Sequence, residues 1–316
     1  MILDRPAYVR TLGWLGQVVC AGDAAWIERP LPWGDWDARG SWPYQSLPSI
    51  DLLEGLSGVR QRHQGSELDS RRLLTWTGVI RPDAVLDAAF EDRLAASATQ
   101  SNWQWQPLKP HLCHRPDRPA ARDGYSRRTR RRLHEAHQRL RVEREVLDQR
   151  HHTMARWQAQ LQAARGIPQA SSPDREHFMQ LIALAARDPR EIAVITLRHR
   201  ADNVLCGLLL ALHDRGEPSS WHAHSLLCDS DARRAFGAYA LFDAAIEHFG
   251  AEPIWWGGQP ASAEGVWRFK QRFSNTSAPA HLMCLELDPE RLQAVRLKRP
   301  GYRWLPDYRN PEVEMR

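Results

Sequence analysis

The chain has 316 residues, 42% of them hydrophobic and 26% charged, ordinary proportions for a folded globular protein. That length allows two domains or one large α/β unit, and it buries enough apolar surface to fold without a disulfide or metal staple. The net charge of +5 is mild for this size, so it permits an anionic partner without demanding one.

Residues 1–108 are rich in Trp, Pro and Gly and weak in periodicity. Eight of the 14 Trp lie here: Trp14, Trp26, Trp33, Trp36, Trp42, Trp76, Trp103 and Trp105. Each brings a large area to bury or to present to a ligand. Pro and Gly punctuate residues 28–49 every few positions, which predicts a long loop. Trp33, Trp36, Trp42 and Tyr44 in that loop are candidates for an acceptor pocket or for core filling. Residues 72–80 (RLLTWTGVI) read as a strand. Residues 83–96 read as a helix, with Leu86, Ala89, Phe90 and Leu94 at helical spacing.

Residues 109–165 are basic. They hold 15 Lys/Arg against 6 Asp/Glu, an excess of +9, while the rest of the chain sums to −4. Ser126 stands before RRTRRRLHEA as an N-cap. Residues 140–146 (LRVEREV) alternate like a strand. Residues 148–165 place Met154, Trp157, Leu161 and Ala164 at helical spacing and end at Gly166, a good C-cap.

Residues 166–316 alternate regularly. A helix starts at Ser172-Pro173-Asp174 and runs to about residue 186. Apolar runs at 192–197, 204–212 and 220–227 read as strands, with a hairpin turn at Arg215-Gly216. A helix follows over 231–249, ending at Gly250. Then come a short strand at 253–256, Gly257-Gly258, a helix over 263–273, a strand at 280–287 and a short helix at 289–295. The tail from Lys298 is Pro-rich and irregular. Antiparallel strands followed by helix-linked strands predict a mixed α/β fold.

The first residues (Met1-Ile2-Leu3-Asp4-Arg5-Pro6) lack a signal-peptide pattern. No apolar run reaches the ~18 residues of a membrane-crossing helix. The five cysteines (Cys20, Cys113, Cys206, Cys228, Cys284) are scattered, with no CxxC pair. A disulfide framework and a zinc ribbon are not expected, and the usage fits a reducing cytoplasm.

Four pieces in the C-terminal half fall in a telling order. Trp221-His222-Ala223-His224-Ser225 ends a strand. Gly237-Ala238-Tyr239-Ala240-Leu241 lies on the next helix. Gly257-Gly258-Gln259-Pro260 follows a short strand. Gly265 to Phe273 (GVWRFKQRF) carries a Phe-Lys pair. This ordered set resembles the GNAT N-acyltransferase superfamily, and within it the Fem-type branch of peptidoglycan-bridge aminoacyltransferases. The resemblance covers about residues 109–290. It implies a GNAT-like mixed sheet flanked by helices, with residues 1–108 as a reduced first GNAT-like half or acceptor-side region, 109–297 as the transferase domain and 298–316 as a tail.

The resemblance also implies amide formation: an acyl or aminoacyl group passes to an amine acceptor with no covalent intermediate. No tightly bound cofactor and no metal are expected; the donor is an aminoacyl-tRNA or an acyl-CoA. Two departures bear on the donor. CoA-dependent GNAT enzymes carry Gln/Arg-x-x-Gly-x-Gly/Ala where a helix N-terminus wraps a pyrophosphate. Here Arg234 and Gly237 match, but the bulky Tyr239 takes the last position. No long inserted coiled-coil arm is present either.

Such chemistry needs a proton acceptor, a stabiliser for the carbonyl oxygen and alignment of the reactants. Lys270, by resemblance, lies near the reacting group; as a bare sequence feature it is equally a solvated helix lysine. Phe269 is pocket wall or core. His222 and His224, two apart on a strand, share one face and are candidate general bases or core histidines. Glu264 is a further candidate base. Trp221, Tyr239, Gly257 and Gly258 line the implied substrate site. Arg127, Arg128, Arg130, Arg131 and Arg132, with Arg234, suit phosphate or RNA contact; the bland alternative is a solvated helix face. Ser225 and Cys228 are weaker nucleophile candidates, since no Gly-x-Ser-x-Gly elbow surrounds Ser225. A non-catalytic RNA-binding or scaffold protein on this fold is the reading from a different class.

Overall fold

The computed structural model describes residues 5–31, 34–41, 73–80, 103–164, 173–215, 219–258 and 264–298, with isolated positions between. The chain divides into two compact units, Leu3–Leu108 with Ala280–Arg316, and Lys109–Pro279.

The first unit begins with a short helix, Pro6–Val9 (α1), followed by strands Gln17–Ala21 (β1), Ala24–Pro30 (β2), Trp36–Arg39 (β3) and Leu73–Ile80 (β4). β1, β2 and β3 pair antiparallel in sequence, and β3 lies parallel to β4. Strand Thr276–Glu286 (β11) pairs antiparallel with β4 from His281 to Glu286. Sequence had grouped 280–287 with the transferase half; here those residues complete the sheet of the other unit. Its core gathers Trp26, Trp76, Ile80, Met283 and Leu285. The loop expected over 28–49 is interrupted by β3, because Trp36 to Arg39 find ladder partners on both sides. Trp33, Trp42, Tyr44 and the helix expected over 83–96 lie outside the described residues.

The second unit carries the element order expected for residues 109–279. Strand Trp103–His114 (β5) contributes its C-terminal end. Helix Arg127–Arg139 (α2) and strand Leu140–Val146 (β6) follow, then helices Met154–Ala163 (α3) and Arg175–Arg187 (α4). Strands Ile192–His199 (β7), Leu205–Asp214 (β8) and Ser220–Cys228 (β9) come next. The chain then forms Ser230–Arg234 (α5), Gly237–Phe249 (α6), Ile254–Gly257 (β10) and Glu264–Gln271 (α7). Strand order in this unit is β5-β10-β9-β8-β7-β6. β6 through β9 are antiparallel, and β10 runs parallel to β9 and antiparallel to β5. This mixed sheet with helices on it is the mixed α/β fold class expected above.

Local chemistry explains the boundaries. Ser126 caps α2 by accepting from Thr129 N at 3.1 Å, and Asp174 caps α4 from His177 N at 2.8 Å. α6 packs on the sheet through Leu241, Phe242, Ala245 and Phe249, and α2 adds Leu133 and Ala136 to the same core. The helix expected as one piece over 231–249 is broken in two. Phe236 adopts the left-handed conformation (φ 58°, ψ 30°) between α5 and α6, and so starts a new helix.

At the far edge, Glu145 on β6 accepts from Thr196 Oγ1 at 2.7 Å and from Arg198 Nη2 at 3.0 Å. Burial opposes its charge, but those donors win and hold its carboxyl below the usual value. A depressed carboxylate stabilises the fold fully above the unfolded value of ~4.3 and stops doing so as pH falls through the folded value. Urea midpoints of wild type and Glu145→Gln should therefore differ at pH 6 and converge towards pH 3. A constant difference across that range would assign the effect to packing.

Candidate active site

The site is framed by two strands that part. β10 pairs with β9 only at Ile254↔Trp221 and Trp255↔His222. β9 runs on for six residues, from Ala223 to Cys228, so its backbone edge opens away from β10 there. On its other side β9 pairs with β8 at Leu210↔Ser225 and Ala211↔Ala223, a register shift that skips His224. The extra residue is a β-bulge, which bends a strand and sharpens its twist. β10 itself shifts register against β5 between Trp255 and Gly257, and Gly257 sits at φ 74°, a conformation suited to glycine.

The N-terminus of α6 follows the open end of β9. No side chain caps its first-turn amides, of which Tyr239 N donates to Phe236 O at 2.9 Å. They make a positive helix end on a 13-residue helix. Gly237 is there for space: a Cβ would come within 2.7 Å of Leu197 Cδ1 and 2.9 Å of Ala232 O. Tyr239 turns inward among Phe236, Phe269 and Phe273 and is 7% exposed. Its hydroxyl accepts from Arg132 Nη1, and the Arg132 guanidinium lies 5.1 Å from the centre of both the Phe236 and Tyr239 rings. The Tyr239 ring therefore lies in the core.

α7 closes on the end of β10. Lys270 is half-buried, and its Nζ donates to Trp256 O at 2.5 Å. Trp256 Nε1 donates to Phe273 O at 3.0 Å. Phe269 packs on Tyr239, Phe242 and Phe273 at ring separations of 5.1–5.3 Å. Such pairs add ~0.5–1.5 kcal/mol each beyond burial, which fixes α7 and so the lysine. Gly257 and Gly258 lie beside this end of β10.

The two strand histidines have different surroundings. His222 is fully buried, with Nε2 3.1 Å from Ser220 Oγ. His224, the bulged residue, has Nδ1 2.8 Å from Ser225 Oγ and Nε2 3.2 Å from His177 Nε2 on α4. Burial, reinforced by the neighbouring His177, holds His224 well below the ordinary histidine value, so its imidazole is neutral. His177 escaped sequence reasoning. It lies 47 residues before His224, and only the packing of α4 on β9 joins them.

The other predicted residues are placed elsewhere. Trp221 is sandwiched between His213 and Phe249, each 4.2 Å away, and serves packing. Glu264 is exposed and paired to Arg268 at 2.5 Å. Arg234 is exposed and paired to Asp231. Arg127, Arg128, Arg130 and Arg131 are exposed on α2, Arg131 with Glu135 at 3.3 Å. Arg132 alone of that run turns inward. Trp36 packs against the core of the first unit. Burial pushes the Cys206 and Cys228 thiols up to about 12, so neither supplies a thiolate at neutral pH. Among the described residues no cluster of three or more His, Cys, Asp or Glu side chains is arranged to hold a metal ion. No described helix is long and apolar enough to cross a membrane.

No protein-family model and no curated protein matches the chain. Solved structures do. A domain assigned to lysylphosphatidylglycerol synthetase, the C-terminal DUF2156 domain from Agrobacterium fabrum, is 12% identical with a TM-score of 0.57, covering 92% of this chain and 90% of that one. The structure of L-PGS from Bacillus licheniformis is 10% identical with a TM-score of 0.54, over 92% of this chain and 90% of that one. A conserved protein of unknown function from Bacteroides thetaiotaomicron is 11% identical with a TM-score of 0.53, over 90% and 93%. At these identities the likeness is one of fold, and it extends over nearly the whole of both chains.

Proposed function

We propose that the protein is an acyltransferase that moves an aminoacyl group from a phosphate-bearing carrier, aminoacyl-tRNA, onto an amine, forming an amide by direct attack. The observation that carries this is the opening between β9 and β10, with a helix N-terminus at one end and Lys270 on the closing helix at the other. A carbonyl seated in the opening would meet exposed strand N–H groups and a nearby cation as its oxygen becomes negative. The carrier phosphates would meet the positive end of α6. The exposed arginines of α2 suit an extended polyanion. A neighbour assigned to lysylphosphatidylglycerol synthetase supports an aminoacyl donor on this fold.

An acyl-CoA donor is the second reading, favoured by one observation: Tyr239 is turned into the core and leaves the helix end clear. The deciding experiment offers charged tRNAs and acyl-CoAs together with a panel of amines and identifies products by mass spectrometry. The expected result is an aminoacyl amide whose formation RNase abolishes. Product that survives RNase and follows added acyl-CoA would replace tRNA by CoA.

A further inference from the structure

Ser225, His224 and His177 form a continuous hydroxyl–imidazole–imidazole chain, with steps of 2.8 Å and 3.2 Å. The bulge creates it. In a regular strand residues 224 and 225 point to opposite faces, but the skipped register at His224 lets the two neighbours bond each other. The inner end is sealed: His177 is 1% and His224 9% exposed. The outer end, Ser225, is half-buried on the stretch of β9 that β10 has left. A contact between two Nε2 atoms needs one ring to donate and the other to accept. One assignment completes the chain: Ser225 O–H donates to His224 Nδ1, and His224 Nε2–H donates to His177 Nε2.

We propose that Ser225 is the catalytic residue that takes the proton of the attacking amine, with His224 and His177 as the positioning residues behind it. This rests on the acyl-transfer reading above. As the amine nitrogen bonds to the donor carbonyl, its proton passes to Ser225 Oγ. The Ser225 proton moves to His224 Nδ1, and the His224 Nε2 proton to His177 Nε2. The carrier leaves with the electron pair of its bond to the acyl carbon. The chain then runs in reverse, and Ser225 returns the proton to the departing group. No bond forms between Ser225 and the acyl carbon. A neutral His224, as its burial dictates, is the state this relay requires.

The test uses the full chain and the product assay described above. Ser225→Ala should lower kcat by about 10²-fold with little change in the KM for the amine, the size expected for general-base help. Ser225→Thr should restore most of the rate. His177→Gln should lower kcat by a smaller factor at unchanged KM. An active wild type with an equally active Ser225→Ala would overturn the relay and leave the transferase reading standing. An acyl-Ser225 adduct trapped without amine would also overturn it, in favour of a covalent route. A wild type inactive with every donor would overturn the transferase reading itself. A second measurement needs no activity: nitrogen-15 NMR of the imidazoles should find His224 protonated on Nε2, with its Nδ1 resonance moved by Ser225→Ala. Protonation on Nδ1 would reverse the chain and overturn the proposal.

Discussion

Replacing Lys270 by alanine should lower turnover by about 10²–10³-fold, the range seen when one oxyanion-stabilising donor is lost. The argument starts from its anchoring. The Nζ bonds the carbonyl of Trp256, at the end of the strand that parts from β9. This bond orients the ammonium at the end of β10. The aromatic cluster around Phe269 and Phe273 holds the helix that carries it. Lys270→Met keeps most of the stem and should lose the rate as alanine does, while Lys270→Arg should retain part of it. Thermal melting of each variant separates chemistry from folding. A Lys270→Ala protein that melts like wild type and turns over normally in a working assay would remove Lys270 from the mechanism. That result would favour a binding role for the fold.

The largest expected loss of stability is at Asp243, half-buried on α6. One carboxylate oxygen accepts from Arg122 Nε at 2.9 Å and from Tyr125 Oη at 2.9 Å; the other accepts from Arg122 Nη2 at 2.8 Å. Glu247 takes a further bond from the same guanidinium at 2.9 Å. These contacts tie the segment before α2 to the helix whose N-terminus frames the site. Asp243→Ala would take the carboxylate from the buried Tyr125 hydroxyl and from Arg122 Nε, while Arg122 Nη2 keeps Glu247 and the carbonyl of residue 243. Breaking a fully buried pair costs ~3–5 kcal/mol. The Arg122 side chain is 37% exposed, so water recovers part of that, and about 3 kcal/mol is expected. For a unit of this size the midpoint should fall by roughly 6–12 °C. Tyr125→Phe alone should cost only about 1 kcal/mol, and much less again on top of Asp243→Ala. Additive losses would mean that the tyrosine and the carboxylate act independently.

Much of the second unit was legible in the sequence. The apolar runs that became β7, β8 and β9 and the short strand β10 are bounded by turn residues, and α2 and α4 announce themselves by their caps. The strands of the first unit were mostly not legible. β2 buries its first five residues without alternation, so it shows no period-two signal. β3 is four residues in a Pro- and Gly-rich stretch, and its extended form depends on partners far along the chain. Lys270 and the glycine pair were candidates from their order along the chain, and both lie at the end of β10. The fate of the arginine run could not: four of its members face outward, and Arg132 turns in because Phe236 and Tyr239 offer it two rings.

What the sequence determined by itself was therefore local: where helices start, where strands alternate, and which order of elements they make. Those outcomes depend on neighbours within a few residues, through capping bonds and side-chain period. Tertiary structure alone decided which groups meet. The left-handed turn at Phe236, the bulge that skips His224 and the approach of His177 to it each require contacts between residues tens of positions apart. Burial then set the chemistry at His224, because removal from water beside His177 lowers its pKa and holds its imidazole neutral.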